Sequence, residues 1–344
     1  MSPGTAGSIS HTGARLRVLA AALTFSIGGA GIKACQLTSW QVASFRSGIA
    51  ALTLLLLLPE ARRGWSARSA LVGLAYAATV TLFVLANKLT TSANTIFLQS
   101  TAPLYILLLS PWLLREPIRA HDLGVMAVVA SGMGLLFVGS EHPYATAPDP
   151  VHGNILATLS GLCWALTLMG LRWMGRSQHA APGSAVPAVV MGNLIAFFLG
   201  LFFALPVQAA RPLDWAIVTG LGTIQIGVAY VFLTGGMRHV RAFEASMLLL
   251  LEPVLNPVWS WLIHGERPRS WSLVGGAIIL GGTLLKNALQ RGRLLDGLIA
   301  GQGARSHLAQ RLDVLLHVAA MEVGLRQVPG EMTHVLLHAG EGLA

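Results

Sequence analysis

Stretches of about 20 mostly apolar residues, the length needed to cross a bilayer as a helix, recur ten times along this chain. They run over 16–34, 39–59, 68–88, 92–114, 121–140, 152–173, 185–206, 212–236, 242–264 and 270–288. The seventh begins indistinctly, because Pro182 and Pro187 interrupt its start. Most turns between the stretches are short. The longest polar turn, EHPYATAPDP at 141–150, carries three prolines and reads as a linker. The pattern predicts an all-α membrane protein of ten transmembrane helices. Its expected parts are an N-terminal segment (1–15), a first five-helix unit (16–140), a linker (141–151), a second five-helix unit (152–290) and a tail (291–344).

The two units repeat one another. TTSANTIFLQSTAPLYILLLSPWLLREPIRAHDLG in the first answers RAFEASMLLLLEPVLNPVWSWLIHGERPRSWSLVG in the second. At an offset of 150 residues Leu98 falls on Leu248, Pro103 on Pro253, Glu116 on Glu266 and Gly132 on Gly282. Each unit has an odd number of spans, so the copies are expected to point in opposite directions across the membrane. Inverted repeats around a central cavity are the architecture of many secondary transporters.

Composition supports the lipid environment. The chain is 54% hydrophobic and 11% charged, with a mean hydropathy of +0.64, against roughly 25% charged in a soluble domain. The net charge of +9 does not point to nucleic acid, because the basic residues sit in short loops and do not interleave with aromatics. With the N-terminus inside, the inner side collects fourteen Lys and Arg, from Arg15 to Arg293, and the outer side five: Lys33, Lys88, Arg211, Arg267 and Arg269. The positive-inside rule therefore expects both termini in the cytoplasm. Trp40, Trp65, Trp112, Trp173, Trp215 and Trp271 lie near span ends, as interfacial anchors do. Cys35 and Cys163 form no disulfide framework or CxxC pair and read as small packing residues. The first stretch is expected to remain as a helix rather than be cleaved as a signal, since apolar segments continue beyond it.

The stretch NKLTTSANTIFLQSTAPLYILLL, followed by Glu116, resembles the EamA-type drug/metabolite transporter (DMT) superfamily. So do EASMLLLLEPVLNPVWSWLIHGERP with its glycine-rich last span, the opening span ending in Lys33, and GLCWALTLMGLR in the sixth span. The resemblance covers 15–290. It implies ten helices in inverted halves, with a cavity lined mainly by spans 1, 3, 4, 6, 8 and 9. It also implies multi-pass residence in a cell membrane, the inner membrane of a bacterium, and transport of small metabolites, often efflux of amino acids or related compounds. The match departs from the pattern where Ala102 precedes Pro103 but Glu252 precedes Pro253, and around spans 2 and 7.

Glu252 is the candidate of greatest chemical interest. A carboxylate at mid-bilayer costs about 2.5–3.5 kcal/mol on insertion scales, so it should face the bundle interior, where it can be protonated, paired or bound to a substrate amine. A structural hydrogen bond to backbone freed near Pro253 is the competing role. Arg46, in span 2, is placed to bind a substrate carboxylate, to pair internally or to snorkel. Gln99, Asn94, Tyr76, Thr79, Trp164, Gln225, Tyr230 and Asn256 are polar or aromatic residues inside spans, available for substrate or for helix–helix bonds. Pro103, Pro253 and Pro257 remove backbone donors and free carbonyls, as bend points or static kinks. Glu116 and Glu266 are expected to be structural, each capping the helix that follows.

The sequence excludes more than it names. It lacks a GxxxxGK[ST] phosphate loop, and no nucleophile–base constellation stands out, so no catalytic residue is assigned. The eleven histidines suggest no metal centre; His334 and His338 with Glu331 are too weak a pattern in a tail. No cofactor is expected. The expected partners are a small-molecule substrate and the lipid bilayer. Coupling to protons and assembly as a homodimer are compatible with a chain of this kind. A non-transporting membrane partner or sensor, or a membrane-integrated enzyme acting on lipid-linked substrates, are the alternatives. In the tail, Leu308, Leu312, Leu315, Leu316, Ala319 and Val323 recur at helical spacing, which would suit a helix lying on the membrane surface.

Overall fold

The computed structural model describes residues 11–113, 120–138, 143, 145–175, 186–237, 240 and 248–285. The N-terminal ten residues, Glu116, the amphipathic pattern at 308–323 and the His334/His338 pair lie outside them. So do most of the span 4–5 turn and the first residues of span 9.

Regular structure among the described residues is helical. Helices α1 (His11–Ser26) and α2 (Gly28–Ala34) form the first span, interrupted at Ile27. They are followed by α3 (Ser39–Leu57), a 3₁₀ turn at Pro59–Arg62 and α4 (Ala67–Leu89). Span 4 is again in two pieces, α5 (Ser92–Gln99) and α6 (Ala102–Leu113). Then come α7 (Ala120–Leu135), α8 (Pro150–Gly175) and α9 (Val186–Ala204). Span 8 consists of α10 (Pro212–Gly220), a π-helical segment at Leu221–Val228 and α11 (Ala229–Met237). The series ends with α12 (Leu251–His264) and α13 (Ser270–Leu285).

Among the described residues, seven helices or continuous helix pairs are long and apolar enough to cross a membrane. The apolar stretches expected as spans 5 and 10 contain shorter described helices, Asp122–Leu135 and Ser270–Leu285. For span 9 only the portion from residue 248 onward is described.

The helix starts follow from local chemistry. Thr38 and Gln41 form a capping box at α3: the Thr38 hydroxyl accepts from the Gln41 N–H and the Gln41 carbonyl oxygen accepts from the Thr38 N–H. Ser66 and Ser69 do the same at α4, and Thr91 caps α5. Each cap satisfies donors that water would otherwise have to reach, and is worth about 1 kcal/mol. Helix α12 ends on Gly265 at φ 65°, the left-handed conformation that glycine adopts without steric cost.

Lipid supplies little hydrophobic drive for one helix to leave it and join another, so helices associate through close packing and interhelical bonds. Two crossings show how close. A Cβ on Gly73 would lie 2.9 Å from the Gly192 backbone nitrogen, and one on Gly192 would lie 2.6 Å from the Gly73 carbonyl oxygen. Gly132 and Gly275 face each other in the same way, with 2.8 and 2.6 Å to the opposing carbonyl oxygens. These glycines let α4 pack on α9 and α7 on α13. The outward faces carry the apolar surface expected of lipid contact: Phe202 is 82% exposed and Trp112 79%. Trp65, Trp173, Trp215 and Trp271 are exposed as well.

Candidate functional site

Three spans are discontinuous at one level. The first breaks at Ile27, ahead of two glycines. Span 4 breaks at Ser100–Thr101, and span 9 at Leu250. The last two breaks each fall just before a proline of the repeat. Pro103 and Pro253 occupy the first turns of α6 and α12, where a missing N–H costs no intrahelical bond. These prolines start new half-helices rather than kink continuous ones. Pro257 is different: α12 runs through it, as α6 runs through Pro111. The π segment of span 8 contains Gln225. Gln225 Nε2 donates to the carbonyl oxygen of Phe25 at 3.3 Å, beside the break in span 1.

A cavity of about 170 Å³ lies at this level. Its polar and aromatic lining includes Arg46, Tyr76, Thr79 and Gln99 from the first half and Trp164, Gln225, Tyr230 and Glu252 from the second. Phe25, Val80, Phe83, Ile226, Leu233 and Leu249 complete it.

The charged groups are poorly partnered. Arg46 is 2% exposed. Its Nη2 donates to the Val80 carbonyl at 3.3 Å, and its Nε has no hydrogen-bond partner. It therefore does not snorkel to the surface; its guanidinium stays inside the bundle. Glu252 is half-buried at the start of α12. Among the described residues no donor bonds its carboxylate, and it forms no ion pair with Arg46 across the shared cavity. The Gln225 side-chain carbonyl is buried without a partner too. Each of these atoms carries a desolvation cost that a bound ligand or water would relieve.

The remaining lining is better fixed. Gln99 donates to Ser160 Oγ at 2.9 Å, and Ser160 donates to the Thr79 carbonyl at 3.0 Å, joining α5, α8 and α4. The Tyr230 ring meets Phe25 edge-on at 5.3 Å and Tyr76 at 6.3 Å. One wall is therefore aromatic.

Two of the residues expected at the cavity are elsewhere. Asn94 donates to the Leu136 carbonyl and to Asn154 Oδ1, which Thr90 also reaches at 2.8 Å. It ties α5 to α8 and to the end of α7. Asn256 is 1% exposed and faces Gly29 and Ser92. Both lie in half-helices beyond the breaks, one helical turn or more from the lining. A polar residue in an apolar span signals an inward face but not the depth at which it meets its partner.

Glu266 also departs from expectation. It does not cap the helix that follows it. Its Oε1 accepts the Ser92 N–H at 2.6 Å, at the start of α5, and its Oε2 lies 3.1 Å from Lys33 Nζ. Burial pushes its carboxyl above the usual range, while Lys33 and the Ser92 N–H act in the other direction. The partner residues are more than 170 positions away in the chain, so spacing gave no sign of them. Phe25 and Ser160 were likewise not singled out by sequence. The only local signal for Phe25 is its place just before the glycine cluster of span 1.

The comparisons with known proteins bear on this arrangement. The chain is 28% identical over 209 residues to an uncharacterized transporter of Archaeoglobus fulgidus, covering 60% of this chain and 71% of that one. It is 21% identical over 218 residues to the uncharacterized transporter YoaV of Bacillus subtilis, covering 63% and 73%. A crystallographically solved protein chain shares the fold at 18% identity, with a TM-score of 0.54, covering 82% of this chain and 99% of that one. The model of the EamA-like transporter family matches residues 14–138 and again 151–288, one match on each side of the proline-rich linker. With that double match and seven membrane-length apolar helices, this multi-pass membrane protein belongs to the EamA-like transporter family, within the drug/metabolite transporter superfamily.

Proposed function

We propose that this protein is a secondary transporter that exports small zwitterionic or amphipathic metabolites, amino acids or related compounds, by alternating access and without converting them chemically. The observation that carries the reading is the cavity itself. A guanidinium with an unpartnered donor and a carboxylate with no described partner line the same 170 Å³ space. Opposite charges held apart in one cavity complement a molecule bearing both an anionic and a cationic group. Arg46 would bind the carboxylate, Glu252 the amine, and Tyr76, Trp164 and Tyr230 the apolar part. A cavity of about 170 Å³ favours a small substrate.

Alternating access needs two interconvertible packings, and an inverted repeat of ten spans supplies them. The helix contacts support that arrangement. The third span of the first half, α4, packs on the first span of the second, α8, and α11 packs on α1 in the reciprocal sense. The contact of α5 with α8 is answered by that of α12 with α2. Spans 2 and 7 pack on each other, as do spans 5 and 10. We take the repeats as 16–140 and 152–290, with both termini in the cytoplasm of a bacterial inner membrane. On this reading Glu252 also carries the coupling proton.

Purified protein in liposomes, assayed for uptake and counterflow across a panel of metabolites, tests the proposal. Compounds carrying both charges should move, and analogues lacking either charge should move more slowly. Preference for neutral or singly charged compounds would contradict it.

A further inference from the structure

The half-helices α2, α5 and α12 all extend from the cavity toward the same membrane face, the one on which Lys33 lies. They pack on each other there. Their mutual approach is close: a Cβ on Gly29 would lie 2.4 Å from Asn256 Oδ1 and 2.9 Å from Ser92 Oγ. Along this contact the first span and α12 are joined by three polar rungs. Trp259 Nε1 donates to Ser26 Oγ at 2.9 Å beside the cavity. His264 Nε2 meets the Ala30 carbonyl at 2.8 Å one turn further out. Lys33 and Glu266 pair at 3.1 Å at the end, with side chains only 6% and 1% exposed.

The last rung reaches beyond its own two elements. Lys33 also donates to the carbonyl oxygens of Thr90, at 2.9 Å, and Thr146, and Glu266 holds the Ser92 N–H. One buried ion pair thus gathers the end of span 1, the start of span 4, the linker and the turn after span 9. None of these residues lines the cavity.

A buried ion pair is a poor device for stability, because desolvation offsets most of the attraction, but it suits a contact that must form and release. We propose that Lys33 and Glu266 are the latch that shuts the cavity on this face, and that their separation and hydration accompany opening toward it. The proposal rests on the transporter reading above. It assigns these residues to gating and not to substrate contact.

The test reads access rather than transport. In a background with Cys35 and Cys163 replaced by Ala, a Thr79→Cys substitution places one thiol in the cavity wall. A membrane-impermeant thiol reagent is applied to each side of oriented vesicles without substrate. From the Lys33 side the background should react slowly. Lys33→Met and Glu266→Gln should each raise that rate by at least about tenfold, a coupling of ordinary size. Gly29→Val should do the same by forcing α2 off Asn256 and Ser92, without altering a charge. Arg68→Gln removes a charged contact away from α2 and α12, with the Trp173 ring at 4.9 Å, and should leave the rate unchanged. Unchanged access in well-folded Lys33 and Glu266 variants would overturn the latch, as would equal opening by Arg68→Gln. So would failure of Lys33→Met, Glu266→Gln and Gly29→Val alike to yield monodisperse protein, which would make the pair a folding element. Because labelling needs no substrate, a wild type that transports nothing in the panel would count against the transporter reading alone.

Discussion

The cavity and the plug beside it, formed where the half-helices α2, α5 and α12 pack on one another, are built from the same kinds of residue but satisfy them differently. In the plug, Lys33, Glu266, Ser92, Asn94, Asn154 and His264 find partners within the protein. In the cavity, Arg46, Gln225 and Glu252 keep polar atoms without protein partners. In a low-dielectric interior a satisfied network rigidifies, while an unsatisfied one favours whatever molecule can complete it. Two regions a few turns apart thus divide the work: one closes, the other waits for a ligand. The plug is not fully satisfied: the Asn94 side chain bonds only through its amide nitrogen, and Asn94 Oδ1 and the side-chain polar atoms of Asn256 and Ser260 are buried there without partners, which nothing in the structure explains.

The comparison breaks most visibly at Arg46. Replacing it with Gln should abolish most transport of a zwitterionic substrate. Removing one member of a desolvated charge contact costs about 2–5 kcal/mol, so affinity in a binding assay should fall about 30-fold or more. A variant with near-wild-type affinity would remove Arg46 from the site. The plug should respond in the opposite sense: Asn94→Leu, which breaks bonds to Leu136 and Asn154, should lower the melting temperature in detergent while leaving substrate affinity within about twofold, the scatter expected for a site that is not touched. Loss of affinity without loss of stability would place Asn94 functionally with the lining.

Smaller effects sharpen the contrast. Gly73→Ala sets a methyl against the Gly192 backbone at 2.9 Å and should destabilise by about 1–3 kcal/mol through overpacking, read as a lower melting temperature. Trp112→Ala, at 79% exposure on the lipid side, should change stability by no more than about 0.5 kcal/mol and should not affect substrate affinity.

Much of this organisation is readable from sequence because lipid imposes a strong pattern. Apolar stretches of membrane length located the helices, and the 150-residue offset of Pro103 and Pro253 located two of the three breaks. Arg46 and Glu252 stood out because charge in an apolar span is costly. The remainder was hidden for definite reasons. Asn94 and Asn256 look the same in sequence as Gln99 and Gln225, yet depth along the helix separates plug from lining. Phe25 is indistinguishable by type from Phe198 or Phe202, which face outward. The role of Glu266 depends on Lys33 and Ser92, far away in the chain. The π segment at Leu221–Val228 has an ordinary hydrophobic sequence with no proline to mark it.

The most direct test of the account concerns Glu252. Glu252→Gln keeps the shape and a hydrogen-bonding group but fixes the charge at zero. Transport of a substrate identified in the panel should be measured for wild type and variant across pH 5 to 8. The account predicts that the variant inserts and folds normally, transports more slowly and loses the pH dependence of the wild type. Wild-type rates with an unchanged pH profile would contradict it and reduce Glu252 to a structural residue.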